Sequence, residues 1–577
     1  MAEKLISPGV FTAENDLSFI PAGVGEIGGA IVGPTVKGPA LVPTTVNSYA
    51  EYVQVFGDVF TSGSTVTEYL TSISAREYLK HSGTLTVVRV LGAGYSNATS
   101  SAITAVTGAV APFKLNTIAD GLTQNSTGTE AANNVLSTTG TKDNLRWEIT
   151  TNNLTKGTFT LVIRRGNDSS KHKVILETHS GLSLDPNSSN YIAKRIGDQH
   201  NTLSTGADGT YLQPTGNFPN RSSYVYVSDV VDTVDFLDPN GAVRVATATG
   251  SLPTAASGTF GGGADGTAAT GAKLMFGDIS ATNNQGLDAS AAGANAGYNQ
   301  YGYAFDLLGN QDDYDINLLW SPGLNNADHS GLCNKMITTC ESRGDCFAIV
   351  DPVGKGKTIA NAVAEGGNED SSYAAMYWPW VQTSANGRYV WTPASTLMPG
   401  VIAFNDKVSH EWYAPAGLNR GGLSTAIQAE RKLTHANRDT LYEAAINPLA
   451  TFPGEGVCAW GQKTLQRKAS ALDRVNVRRL LINLKKFIAS TSRYLVFENN
   501  TNATRNRFLA SVNPYMESVQ EKNGLYAFKV VMDDSNNTAD IIDRNIMKGE
   551  IYLQPAKAAE FIVVDFNIMP TGATFED

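Results

Sequence analysis

Lys357 and Thr358, preceded by Gly354 and Gly356, come nearest in this chain to a set of residues whose types and spacing could do chemistry. They stand in "FAIVDPVGKGKTIANAV", Phe347 to Val363, where an apolar run that reads as a strand leads through a Gly-containing loop into a helix-forming segment. A phosphate loop works in that setting, because backbone N–H groups and a helix N-terminus cradle the anion while Lys meets its charge. The pattern opens with Gly, however, and here that place holds Asp351, followed by Pro352. A carboxylate there would repel phosphate, so the loop is expected to turn the chain, with Gly supplying geometry alone. A nucleotide-binding enzyme stays open as the less favoured alternative.

No other constellation suggests catalysis. The seven histidines are scattered without a His-x-x-x-His pair. Cys333, Cys340, Cys346 and Cys458 lack the close pairing of zinc sites and are too few to staple so long a chain, so they are expected to be small buried apolar residues. No metal or cofactor is expected. A net charge of -10 disfavours nucleic acid and anionic membrane, since both need a basic footprint. Neither a bilayer-spanning apolar run nor, in "MAEKLISPGVF", the apolar core of a signal peptide is found, so a cytosolic product without membrane insertion is expected.

The elements that must position these residues fall into three textures, and 577 residues give a prior of about four domains. From Gly28 to Leu91 the texture is α/β: "GGAIVG" is a short strand, "TVTEYLTSISAREYLKHSG" reads as a helix with Val66, Tyr69, Leu70 and Ile73 on one face, and "LTVVRVL" is a buried strand. From about Gly92 to Gln300, short β-like runs such as "LRWEIT", "GTFTLVIRR" and "HKVILET" lie among Gly, Ala, Ser, Thr and Asn, which reads as an insertion. From Asp312 onward strands and helices alternate again, as in a layered sheet.

The following segments carry a resemblance. "SSYAAMYWPWVQT", "WTPASTLMPGVIAFNDKVSHEWYAPAGLNRGGL", "INPLATFPGEGVCAWGQKTLQ" and "VNVRRLLINLKKFI" are similar, in order, to the core of contractile phage tail sheath proteins. "SPGVFTAE", "AIVGPTVKGP" with "YVQVFG", "LETHSGLSLDPNSSNYI", "FENNTNATRNRF" and "PAKAAEFIVVDF" resemble the same family. The resemblance implies an α/β (α+β) sheath core built from N- and C-terminal parts of the chain, with a large β-rich insertion and extended terminal arms. The expected boundaries are an arm at 1–20, core at 21–95, a β-rich outer domain at 96–195, a second Gly/Ala-rich insertion at 196–300, core at 301–440, an inner domain at 441–555 and a terminal strand and arm at 556–577.

It further implies a structural subunit, not an enzyme, that forms hexameric rings stacked around a tail tube protein, meets baseplate and tail terminator proteins, and contracts without nucleotide to drive the tube through the host envelope. The place is the virion, after assembly in host cytoplasm. The sheath of a related, tailocin-like contractile particle stays open as an alternative, and so does a surface-array or adhesin role for the Ser/Thr/Gly-rich insertion. Intersubunit arms are expected at Pro8, Gly9, Val10 and Phe11 and at Phe561, Ile562, Val563, Val564 and Phe566, since strand-like runs near chain ends fray unless a partner holds them. "RVNVRRLLINLKKFI" reads as an amphipathic helix with Val477, Leu480, Leu481, Leu484, Phe487 and Ile488 inward. Arg478, Arg479, Lys485 and Lys486 on its other face, with Arg505 and Arg507 beyond, are candidates for facing the tube or a neighbour.

Overall fold

The computed structural model describes residues 28–62, 65–107, 110–126, 140–207, 209–234, 236–243, 251–267, 279–290 and 296–562. Contact density divides the chain into two compact units, one spanning 26–482 and the other containing 483–577.

The first unit is organised on an eight-stranded sheet. Its strands run, in spatial order, Thr44–Val46, Leu85–Arg89, Gly28–Gly33, Ile316–Asn325, Phe347–Asp351, Ala374–Trp378, Ile446–Phe452 and Gly456–Ala459. The six inner strands pair in parallel and the two outer ones antiparallel. Strands covered on both faces have no water-facing side to mark with polar residues, so they read as unbroken apolar runs. Leu85–Arg89, Phe347–Asp351 and Ala374–Trp378 are buried at every position. Their side chains alternate between two cores: Ala30, Val32, Ala348 and Val350 meet Leu332 and Met336 of the helix Asn326–Arg343 on one face, and Ile31, Phe347, Ile349 and Trp320 meet Tyr52, Tyr78 and Met398 on the other. All four cysteines are free and buried.

The insertion has a core of its own. Between the Leu85–Arg89 strand and the helix Ala296–Leu308, seven antiparallel strands form a separate sheet over Trp147, Phe159, Phe113 and Leu161. The three strand-like runs seen in the sequence are its strands Leu145–Asn153, Thr158–Arg165 and Ile175–Ser183.

Three expectations need correction. The expected division at 195/196 does not separate two sheets, because Val225–Ser228 pairs with Lys114–Asp120, and Ala256–Gly261 with Leu145–Asn153, in the same ladder. Nor do residues 441–555 form one domain: Ile446–Phe452 and Gly456–Ala459 belong to the core sheet, and the second unit begins at Asn483, inside the helix Val475–Arg493. Finally, the helix expected from Thr65 starts only at Leu70; Thr65–Glu68 is a strand hairpinned to Val59–Ser62, which leaves Val66 exposed.

The described part of the second unit packs the helix Asn502–Glu521 through Phe508, Val512, Met516 and Val519, with Tyr515 stacked on Phe487 at 3.7 Å between ring centroids. A two-stranded hairpin, Leu525–Val531 with Glu550–Pro555, completes it.

Close packing at the sheet's centre makes Gly29 irreplaceable. A Cβ there would stand 2.4 Å from the ring of the fully buried Trp320, which has nowhere to move. Gly29→Ala should therefore destabilise the first unit by about 1–3 kcal/mol, read as a lowered melting temperature; an unchanged melt would contradict this packing.

Candidate functional site

The strand-to-helix turn at 351–358 has the outline of an anion cradle, but its parts are already engaged. Asp351 ends its strand buried, and its carboxylate accepts hydrogen bonds from Ser395 N at 2.9 Å and from Ser395 Oγ. Ser395 lies in the first turn of the helix Ala394–Val408, whose positive end favours a negative charge. The protein's own carboxylate thus sits at a helix N-terminus, and burial pushes Asp351 up to about 7 despite those two hydrogen bonds.

The loop amide that a phosphate oxygen would need is also taken. Gly356, in the left-handed region at φ 81°, donates its N–H to Glu430 Oε1 at 2.6 Å. Thr358 caps the helix Ile359–Gly366 in a reciprocal pair with Asn361, and Lys355 lies 5.3 Å from the centre of the Trp391 ring. Lys357 is exposed. The Gly356 amide and the Thr358 side chain are thus spent within the chain, as in a turn that serves the fold. Among the described residues no cluster of three or more His, Cys, Asp or Glu is placed to hold a metal ion, and no helix is long and apolar enough to cross a membrane.

The basic residues divide into two groups. Arg478 and Arg479, expected on an outward face, are buried, and this corrects the helical-face reading. Arg479 forks onto Asp406, donating from Nη1 at 2.7 Å and Nη2 at 2.5 Å. Burial alone would lower the Arg479 pKa, but the Asp406 charge outweighs it and holds the guanidinium above its usual value. The Arg478 guanidinium stacks 4.0 Å from the centre of the Tyr373 ring and donates to Ser372 Oγ. Arg505 is likewise turned inward, donating to Asp534 Oδ1 at 2.6 Å and to Asn500 Oδ1 at 3.0 Å. Lys485 and Arg507 are exposed and Lys486 is half-buried.

Of the expected arms, Pro8, Gly9, Val10, Phe11, Val563, Val564 and Phe566 lie outside the described residues. Phe561 and Ile562 are described, and they are 80% and 83% exposed, without strand structure of their own. Sequence reasoning missed the hairpin Leu525–Val531/Glu550–Pro555, which has only two strands among the described residues, so each has one ladder partner and one outer edge. The period-two alternation in "EIYLQP", with Tyr552 exposed, was the available signal.

Residues 291–465 match the phage tail sheath protein central domain, and residues 467–569 the phage tail sheath C-terminal domain. The central and C-terminal parts of the chain are thus similar to phage tail sheath proteins. The tail sheath protein of Vibrio phage KVP40 is 33% identical over 311 residues, 49% of this chain and 46% of that protein. The tail sheath protein of Enterobacteria phage T4 is 30% identical over 296 residues, 48% of this chain and 45% of that protein. The matches thus span about half the length of these curated relatives. In fold, a sheath tail protein from Listeria innocua superposes with a TM-score of 0.53 at 10% identity, covering 89% of this chain and 90% of that one. The turn at Asp351 and the Arg479 pair both lie within or beside the matched sheath domains.

Two outcomes follow from the buried charges. Arg479→Met leaves Asp406 without its partner and should cost about 2–4 kcal/mol, whereas Arg479→Met with Asp406→Leu should recover most of the loss; equal melting of both variants would refute the pairing. Asp351 titrates near 7 in the folded chain against the ordinary 3.8, so the folded state binds the extra proton between those values. Its stabilising share is therefore complete below about pH 4 and lost as pH rises through about 7. Asp351→Asn should flatten that part of the stability–pH curve, and parallel curves for both proteins would overturn the assignment.

Proposed function

We propose that this chain is a structural subunit of a contractile phage tail sheath, not an enzyme. Copies of it form hexameric rings stacked around a tail tube, meet baseplate and terminator proteins at the ends, and contract to drive the tube through the host envelope. The subunit is made in host cytoplasm and ends in the virion.

The observation that carries this reading is the two-stranded hairpin with its outer edges, beside a chain end whose Phe561 and Ile562 are exposed. A helical polymer requires heterologous contacts, in which one patch meets a different patch on the next copy and never closes on itself. A strand donated to a neighbour's sheet is such a contact, and each backbone hydrogen bond in it contributes about 0.5–1.5 kcal/mol. A joint made of a strand ladder can swing while its bonds persist. Lys485, Lys486 and Arg507 are then the basic residues suited to the tube or a neighbour. The insertion, with its own sheet and core, suits the outer surface of the sleeve.

Without nucleotide, the stroke draws on the assembly itself: an extended state held metastable against a contracted one with better subunit contacts.

Removal of residues 561–577 separates the arm from the fold. The truncated subunit should stay soluble and melt within a few degrees of the full chain, yet form no sleeves in negative-stain images. Sleeves of normal yield, or loss of the monomer's cooperative melt, would sink the linked-arm account.

A further inference from the structure

Between core and insertion, inside the first unit, lies a cleft of about 940 Å³. The core contributes Lys37, Gly38 and Gln54 to its walls, and the insertion contributes the ends of its strands with the segments 199–203 and 220–226. Its size falls within the range of small-molecule sites, about 300–1,000 Å³. We propose that this cleft binds a neutral oligosaccharide.

Charge is the first argument. The charged side chains lining the cleft are Lys37, Lys142, Asp120 and Asp143, two of each sign. Lys37 is spent on Asp143 at 3.6 Å, and Asp120 accepts from Ala40 N at 2.8 Å. The cleft therefore has no net charge with which to select a phosphate or an ammonium group.

Hydrogen-bonding chemistry is the second. Seven carboxamide side chains line the walls; Gln54, Asn97, Gln124 and Asn220 already donate within the chain, and Asn201 is exposed at the rim. A carboxamide presents a donor and an acceptor on one planar group, which matches two neighbouring hydroxyls. Two polar atoms of lining residues, Gln300 Oε1 and His200 Nδ1, are closed off from solvent and have no hydrogen-bond partner among the described residues. A buried polar atom left unpaired is costly, and a sugar hydroxyl, which both donates and accepts, would satisfy either atom once its side chain turns toward the cleft.

Ring faces are the third. His200 stacks on Tyr226 at 5.1 Å with 13° between planes, and half-buried Tyr224 and Tyr95 line the same space. Flat apolar rings beside amides suit a ligand with one C–H face and a rim of hydroxyls, which describes a pyranose. A peptide would instead require paired backbone donors and acceptors along an edge, and a lipid would require a wall without carboxamides.

The full-length subunit should be tested by saturation-transfer NMR and calorimetry with maltotriose, cellotriose, chitotriose and inorganic phosphate. At least one trisaccharide should take up saturation from the protein and give a saturable heat, and phosphate should give neither. Gln300→Ala removes an acceptor and should weaken that binding roughly tenfold, the equivalent of one lost hydrogen bond of about 1.4 kcal/mol. Since Gln300 is buried, Thr202→Trp at the exposed rim provides a second variant, which should block binding at an unchanged melting temperature. Absence of transfer to all three sugars, preference for phosphate, or binding indifferent to Thr202→Trp would overturn the proposal.

Discussion

Covering both faces of a six-stranded parallel block is the constraint from which the first unit follows. Such a block has no face to give to water, so helices must lie on both sides and the strands must be apolar throughout. The alternation of Ala30 and Val32 to one core and Ile31 to the other is its local expression. Any charge that enters so complete a core must bring its own partners. Asp351 has Ser395 and Arg479 has Asp406, while Arg89, fully buried, donates to the carbonyls of Thr35, Gly38 and Asp120. The Arg89 contacts also tie the core to the insertion, since Asp120 ends an insertion strand.

The same constraint explains what could be read from the sequence. Buried strands and intervening helices leave unbroken apolar runs and clear helix caps, so the α/β alternation and the interrupting β-rich stretch were both legible. Asp351 was legible too, as a residue unsuited to phosphate, although nothing local pointed to Ser395 forty-four positions on. The basic helix misled because helical periodicity assumes one wet face. The start of Val475–Arg493 is covered on more than one side, and the partners of Arg478 and Arg479 lie far away in the chain, at Tyr373, Ser372 and Asp406. Thr65–Glu68 misled for the opposite reason: four residues before a true helix carry a pattern both periods accept, and the hairpin to Val59–Ser62 decided it. The insertion strands Val225–Ser228 and Ala256–Gly261 were hidden by brevity within a Gly/Ala-rich stretch.

The strands and chain segment proposed for assembly belong to the second unit, and the parallel sheet to the first. On the proposed reading, a contractile lattice needs subunits that do not deform and joints that do, because energy stored between two arrangements of copies is lost if the copies themselves relax. A doubly covered parallel sheet is a poor place for motion, as close-packed interiors resist small displacements. A two-stranded hairpin has the opposite character, being marginal until further strands or a packed face support it. Strand donation would therefore stabilise the acceptor's hairpin as well as join two copies, which makes the contact cooperative with local folding.

The insertion is built on the same separation. Its stacked Phe113 and Phe159 and its buried Trp147 form a core that takes nothing from the parallel sheet. The ties across the cleft include Lys37 to Asp143, Ala40 and Arg89 to Asp120, and Leu203 and Leu212 of one hairpin laid against the core. Because the entropy of closing a loop grows only slowly with its length, a host sheet tolerates such an excursion when both crossings are made at exposed backbone. The sheet's burial depends on helices drawn from elsewhere in the chain, so the insertion's surface is free to take up chemistry that the core cannot host, and the neutral, amide-lined cleft lies along that boundary.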